Sequence, residues 1–389
     1  MKRRPFRFKL LTSLLLIILL ACVLIYLTGT SYIYKALIYQ HADIDDIDIF
    51  PLREVKRGEN SLAWPQATEY NKVPLSDTLR KTLEETESVA FLIIKNDSLI
   101  HEEYWDVYTD TTLSNPFSIT KSIVSLLVGA AIKDGNIRSV DQPVSDFLPD
   151  FKEPQKSKIT IKHLLQMTSG LDFMESYSSP FNYTTEAYYG TDLKGLVKKL
   201  KVIETPGTIS RYKSGDTQVL GMVVSRATGK SLSDYASEKL WKKLGVQSAA
   251  QWSLDHVDGV EKAYCCFYTN AHDLAKIGKL VLQNGKYNGE QLIDSAYMQA
   301  SFAPVGLPDQ RGNLTDYYGY SWWLIQRGGV QVNHARGLAG QYLFIIPSEN
   351  MIVVRLGKKK ASVKQNGVSV DILIYLDEVL KMMNKTKLN

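Results

Sequence analysis

The chain is poor in the residues on which several common architectures depend. Only three cysteines occur in 389 residues. Cys22 sits in an apolar run near the N-terminus, and Cys265 and Cys266 are neighbours. No disulfide framework can be built from that set, so the folded body must be held by its core. A bridge between adjacent cysteines is strained, and the pair is read as two small buried hydrophobes. The six histidines are scattered at positions 41, 101, 163, 256, 272 and 334, which argues against a histidine-rich metal site. No metal and no cofactor are expected. G-x-S-x-G, H-E-x-x-H, a phosphate-loop lysine and C-x-x-C are all missing, which removes the local signatures of four large catalytic classes. A Ser-His-Asp triad with distant members stays open, although no local signature supports one. Internal repeats and low-complexity tracts are absent as well.

Excess charge is also lacking over most of the chain. The formal net charge is +5, and Lys2, Arg3, Arg4, Arg7 and Lys9 supply all of it, so the remainder is formally neutral (5 − 5 = 0). A neutral body without a basic cluster argues against nucleic acid as a partner.

What is present begins with those cations. They precede LLTSLLLIILLACVLIYL (10–27), an uncharged run of 18 residues that is near the length needed to cross a bilayer as a helix. The expected layout is a cytoplasmic basic segment (1–9), a transmembrane anchor or signal (10–27), a strap or linker (28–74) and the folded body beyond it. The cations should hold residues 1–9 in the cytoplasm and export the body to the extracytoplasmic (periplasmic) side. YIYKALIY (32–39) supplies tyrosines suited to the interface. A cleaved signal peptide and lipidation at Cys22 are the alternatives to a retained anchor.

The body shows strand patterns at both ends and helical ones between. SVAFLIIKND and SLIHEEYW (88–105) predict a hairpin turning at Asn96-Asp97. YGYSWWLI (318–325), VQVNHA (330–335), GQYLFIIP (340–347) and MIVVRLG (351–357) predict further strands, the last two joined by a turn at Pro347–Asn350. SVDILIYLDEVLKMMN (369–384) closes the chain as an amphipathic helix with Ile372, Leu376, Val379 and Leu380 on one face. Residues 118 to about 300 read as mostly helical. Tight turns favour antiparallel pairing. The predicted fold is therefore α/β of the α+β kind: an antiparallel sheet flanked by helices, with an all-helical subdomain inserted between the sheet halves and a transmembrane helix at the N-terminus.

One ammonium stands out. In SNPFSITKSIVSLLVGAAIKDG (114–135), Lys121 is the only charged residue between Ser114 and Ile132. It lies three positions after Ser118, so a helix puts both side chains on one face. Pro116 and the polar residues before it suit a helix start, whose dipole favours a developing alkoxide at Ser118. The apolar residues that follow predict a helix buried on most sides. A desolvated amine can take a proton from Ser118, but a snorkelling lysine at a helix edge is the competing reading. The motif alone is weak, because Ser210–Lys213 repeats it in a more polar setting. Tyr212, in the Gly/Ser-rich loop before Val219–Val224, is a candidate third group. With 22 tyrosines in the chain, an ordinary interface role competes for it too.

Four stretches together resemble the serine β-lactamase and penicillin-recognising superfamily, on the branch of class C enzymes, esterases, D-aminopeptidases and 6-aminohexanoate-dimer hydrolases. FSITKS (117–122) is similar to the S-x-x-K element, ITIKHLLQMTSGLDF (159–173) to the helix and T-S-G-L turn, RYKS (211–214) to the Y-x-N element, and NHARGLAGQYLFIIPSENMIVV (333–354) to the K-T-G or H-x-G strand and its successor. They occur in the family's order over residues 75–385. The resemblance implies a β-lactamase-like fold, Ser118 as nucleophile, Lys121 as its base and Tyr212 as the catalytic tyrosine. It places Ser214 and His334, with Arg336, at substrate-holding positions, and puts the oxyanion between the N–H of Ser118 and one near Arg336-Gly337. Ser214 replaces the lactamases' Asn, His334 their Lys, and Arg336 their Gly. A serine hydroxyl reaches less far than an amide and a histidine carries only part of a charge, so the esterase and dimer-hydrolase branch fits better. Roles for Asp172, Tyr177 and Gln341 are open. The implied activity is that of a membrane-anchored serine hydrolase acting on a small-molecule ester or amide through an acyl-enzyme. A non-hydrolytic acyl-binding sensor of the same fold is the alternative.

Overall fold

The computed structural model describes residues 6–177 and 179–386. Lys2, Arg3 and Arg4 of the basic segment lie outside the described residues.

Six strands form the central sheet: β1 (Ser88–Lys95), β2 (Ser98–Tyr104), β3 (Trp323–Arg327), β4 (Val330–Gly337), β5 (Gln341–Ile346) and β6 (Met351–Gly357). Their spatial order is β2-β1-β6-β5-β4-β3, and every pairing is antiparallel. The hairpin turns at Asn96 and Asp97, whose φ values of 50° and 61° are the left-handed pair that a two-residue turn requires. Both chain ends thus meet in one sheet, as the tight turns of the sequence imply.

Period-two alternation sorts the sheet residues to two faces. Phe91, Ile93, Val332, Tyr342, Phe344 and Val353 face one layer, made by α3 (Asp77–Glu85) and the closing helix α7 (Val370–Thr386). Ile372, Leu376 and Val379 of α7 are buried there, on the face that the apolar spacing predicts. Ala90, Leu92, Ile94, Ala335, Leu343 and Val354 face the larger core, which contains α4 (Ile119–Lys133), α5 (Ser214–Thr228) and α6 (Ala271–Leu282). In α4 every residue from Ile119 to Ala131 is buried. Each large aliphatic there gains about 1.5–3 kcal/mol from leaving water, enough to hold the single ammonium among them.

Two stretches differ from the expectation. Residues 118–300 are not wholly helical: Ala250–Ser253 and Phe267–Tyr268 are short strands. Leu52–Val55 of the strap pairs with the first of them to complete a three-stranded sheet. Phe267 and Tyr268 point to opposite faces and both are buried, Phe267 against Trp252 at 5.0 Å, which leaves no period-two signature to read. The strap is therefore structural. Trp64 pins it by donating its indole N–H to the His272 carbonyl at 3.1 Å.

At the N-terminus, α1 (Phe6–Leu27) contains an 18-residue window, Leu10–Leu27, of mean hydropathy 3.0, long and apolar enough to cross a membrane. A short helix, α2 (Tyr32–Tyr39), follows it.

Candidate active site

The chain enters α4 through a strained turn. Phe117 has φ 47°, a left-handed conformation that side chains other than glycine adopt at a cost of about 1–3 kcal/mol. Asn115 holds it: its side-chain oxygen accepts the Phe117 N–H at 2.9 Å and the Cys266 N–H at 3.1 Å. Ser118, next along, is half-buried at the N-terminus of α4. Its own N–H has no hydrogen-bond acceptor among the described residues. A nucleophile on a strained turn at a helix N-terminus, with a backbone donor to spare, suits a developing oxyanion.

Lys121 is buried, 1% exposed, and its Nζ donates to Ser118 Oγ at 2.9 Å and to the Tyr264 carbonyl at 2.9 Å. The same nitrogen lies 5.2 Å from the centre of the Tyr212 ring and 5.6 Å from that of Tyr264. Lys121 is no snorkelling edge residue, since its head is inside. The structure brings Ser118 and Lys121 of α4 together with Tyr212, about 90 residues further along the chain.

The T-S-G-L turn positions Tyr212. The Met167 carbonyl accepts the Arg211 N–H at 2.8 Å, the Thr168 carbonyl accepts the Gly207 N–H at 2.8 Å, and the Leu171 carbonyl accepts Lys213 Nζ at 3.0 Å. Both neighbours of Tyr212 are thereby tied to one turn, which accounts for the second S-x-x-K: Lys213 is a buried strut. Ser169 donates to Asp216 at 2.5 Å, and burial pushes that carboxyl up to about 6.

Ser214 reaches the site as well. It lines a cavity of about 570 Å³ with Phe117, Ser118, Tyr177, Tyr264 and Leu338. Glu175 accepts its N–H at 2.8 Å and its hydroxyl at 2.9 Å, and also the Tyr177 hydroxyl at 2.6 Å. Asp172 instead accepts the backbone N–H of Lys201 at 2.9 Å. Gln341 spans two strands, donating to the Gly357 carbonyl at 2.5 Å and accepting the Gly357 N–H at 3.1 Å. Both are structural roles.

His334 and Arg336 approach Tyr212 from the side away from α4. On β4 they alternate with Ala335, which faces α4, so they turn to the other face. His334 pairs with Trp323 and Phe344 and lies 5.7 Å from the Phe344 ring. Neither of its ring nitrogens has a hydrogen-bond partner among the described residues. Burial, with Arg336 beside it, pushes its pKa down to about 3, the Val332 and Trp323 backbones opposing weakly. It is therefore neutral at any physiological pH. The Arg336 guanidinium stacks 3.2 Å over the Trp323 ring, itself 5.4 Å from the Tyr212 ring. Both residues line a second cavity of about 880 Å³ together with Tyr212 itself. Gly337 does border the site: a Cβ there would stand 2.2 Å from the Pro116 carbonyl oxygen, so the end of β4 lies directly against the turn before Ser118.

Cys265 and Cys266 are bonded to each other, with Sγ atoms 2.12 Å apart. Both are buried as read from the sequence, but as a disulfide, the tight Tyr264–Phe267 corner bringing the two sulfurs together.

The Beta-lactamase family model matches residues 75–368. The chain belongs to that family. It is 25% identical over 329 residues to the 6-aminohexanoate-dimer hydrolase of Paenarthrobacter ureafaciens, covering 77% of this chain and 82% of the relative. It is 31% identical over 152 residues to the esterase EstB of Burkholderia gladioli, a match spanning 36% of this chain and 38% of the esterase. Among solved structures, a putative 6-aminohexanoate-dimer hydrolase from Bacillus anthracis superposes with a TM-score of 0.76 at 19% identity, over 88% of this chain and 93% of that one. A family VIII carboxylesterase superposes with a TM-score of 0.64 at 16% identity, over 82% and 98%. The β-lactamase-like fold expected from four short stretches is the fold of this family member.

Sequence reasoning missed Asn115, Glu175 and Tyr264. Tyr264 acts through its backbone carbonyl, which no residue type encodes. Glu175 lies between Met174 and Ser176, in a stretch that carries no motif. Asn115 had a local signal, an Asx residue two before a left-handed position.

Proposed function

We propose that this family member is a membrane-anchored serine hydrolase that cleaves a small ester or amide through a Ser-Lys-Tyr acyl-enzyme mechanism. The observation that carries the reading is the 2.9 Å contact from Lys121 to Ser118 beneath the Tyr212 ring, at the wall of a cavity. Ser118 Oγ attacks the carbonyl carbon while Lys121, in its neutral form, takes the hydroxyl proton. The oxyanion is held by the Ser118 N–H and a second donor from the Gly337–Leu338 segment. The proton passes, through Lys121 and Tyr212, to the departing alcohol or amine. Water then attacks the acyl-serine, and its proton follows the reverse path. No metal or cofactor enters this scheme.

Substrate preference follows from what surrounds Ser118. A neutral His334 supplies no charge to hold a substrate carboxylate, and the Arg336 guanidinium is engaged on the Trp323 ring, which favours neutral esters and amides. The names of the relatives, a dimer hydrolase of 6-aminohexanoate and an esterase, support an amide or ester as the bond cleaved. The cationic N-terminus and apolar α1 support an anchor with the body on the extracytoplasmic (periplasmic) side, and residues 75–385 as the catalytic domain.

A fluorophosphonate should label the full chain in detergent, and a short-chain aryl ester should be turned over. Both signals should vanish in Ser118→Ala. Labelling that persists in the variant would sink the assignment, and an ester acyl group that stays on Ser118 for hours would mark a sensor instead of an enzyme.

A further inference from the structure

The cavity beside Ser118 is walled on one side by the helix that leaves the membrane span. Ala36 and Leu37 of α2, and Gln40 just after it, line it together with Ser118. Only residues 28–31 separate α1 from α2, and that joint is tied: Tyr34 donates its hydroxyl to the Cys22 carbonyl at 2.5 Å, and the Thr30 N–H donates to the Ile25 carbonyl at 3.1 Å. On the body side, Tyr39 stacks on Tyr189 with ring centres 6.2 Å apart. With α2 only eight residues long, or about 12 Å, the cavity lies within one short helix of the end of the apolar span. The headgroup layer is itself about 5–8 Å thick on each side.

The outer surface there is apolar. Ile38 and Phe181 are each 72% exposed, and Leu37 is 62% exposed. Phe181 follows Ser179 and Pro180, which line the same cavity as Ala36 and Leu37. Exposed apolar side chains scattered singly are ordinary, whereas a group of them flanking a cavity marks a binding surface. The volume of about 570 Å³ fits a ligand of the size of one lipid chain plus an ester.

Resting on the serine-hydrolase reading above and on α1 being embedded in a bilayer, we propose that the substrate is a single-chain amphiphilic ester of the bilayer leaflet. It enters between α2 and the 179–181 segment, lays its hydrocarbon chain along Ala36 and Leu37, and presents its carbonyl to Ser118. An acyl or alkyl chain leaving lipid for this cavity keeps its apolar surroundings throughout, while water-soluble short esters gain little from the same wall.

The test uses the full chain in phosphatidylcholine vesicles with two substrates, p-nitrophenyl acetate in the water and monopalmitoylglycerol in the membrane. The wild type should hydrolyse the membrane ester with at least tenfold higher efficiency than the acetate. Ile38→Glu with Phe181→Glu, changes at the mouth that do not touch Ser118, should lower the membrane rate at least ten times more than they lower the acetate rate. In detergent, Ala36→Trp should shorten the preferred chain in a C2–C16 ester series, a result that looser membrane docking cannot produce. Equal efficiency on both substrates, or an unchanged chain-length profile in Ala36→Trp, would overturn the proposal with the hydrolase intact. Loss of fluorophosphonate labelling and of acetate hydrolysis in the wild type would instead remove the serine-hydrolase reading beneath it.

Discussion

Glu175 accepts both the N–H and the hydroxyl of Ser214, at 2.8 and 2.9 Å. A serine where related enzymes carry an amide is thus held as half of a carboxylate clamp at the start of α5. Its hydroxyl proton is spoken for, so towards a substrate Ser214 Oγ is an acceptor. Hydrogen bonds to a charged group contribute about 1.5–3 kcal/mol each. Glu175→Gln, which keeps the shape but weakens acceptance, should lower kcat/KM on a short aryl ester by about 10–100-fold. Fluorophosphonate labelling of Ser118 should continue. A positioning role predicts a rise in KM larger than the fall in kcat, while an unchanged KM with a lowered Tm would reduce Glu175 to a structural residue.

Lys121→Met keeps the buried volume and removes the amine. The Tyr264 carbonyl then loses its partner, at about 1–3 kcal/mol, but a buried ammonium is removed as well, which offsets part of that cost. Hydrolysis should fall by about 10²–10⁴-fold, the usual contribution of a positioned acid-base group, and the melting temperature should shift by only a few degrees. Steady-state rates and thermal melts on the same preparation decide it. A rate loss below tenfold would mean that another group takes the proton from Ser118.

The sheet was legible because its strands are local patterns. The short apolar runs of β1 and β6, buried on both faces, and the turn residues at Asn96-Asp97 and Pro347–Asn350 each carry their own signal. Lys121 was legible through the contrast of one charge with an apolar helix, and Tyr212 through the order of the motifs. The β4 residues were not. His334 and Ala335 differ by one position, and in a strand one position is the other face of the sheet. Nothing local in NHARG tells which of them looks at α4; that is set by pairing with β5 and by the contact of Gly337 with Pro116. The strand Leu52–Val55 was hidden for a related reason, since its partner lies about 200 residues away and its own four residues hold no pattern.

The placement of His334 has a consequence for pH. Its folded pKa of about 3 lies below the ordinary value of about 6.5 for an unfolded chain. The unfolded state therefore binds the extra proton between these values, so the stability His334 allows is complete above pH 6.5 and is lost as pH falls towards 3. At pH 5 the loss is about 2 kcal/mol. His101 and His163 are also held low by burial and act with the same sign, so the comparison of wild type with variant is what isolates His334. In His334→Leu the fall in the urea midpoint between pH 6.5 and pH 5 should be smaller than in the wild type by that share. Identical pH profiles would mean that the ring finds a proton partner or solvent.

Gly337 tests the second side of the oxyanion site. Its φ of −123° is open to any residue, so conformational freedom is not what requires glycine here. Space is: a methyl group would meet the Pro116 carbonyl oxygen at 2.2 Å and the Gln341 Cβ at 3.1 Å. The first is backbone and cannot turn aside. Gly337→Ala must push the end of β4 away from the turn that presents Ser118, at an overpacking cost of about 1–3 kcal/mol. A displaced Gly337–Leu338 segment also removes the second oxyanion donor, a loss of about 10²–10³-fold in kcat for such groups. The ester rate should therefore fall by far more than the stability loss explains, while Lys121-dependent labelling of Ser118 falls with it. Full activity in Gly337→Ala at reduced Tm would place the second donor elsewhere along the chain.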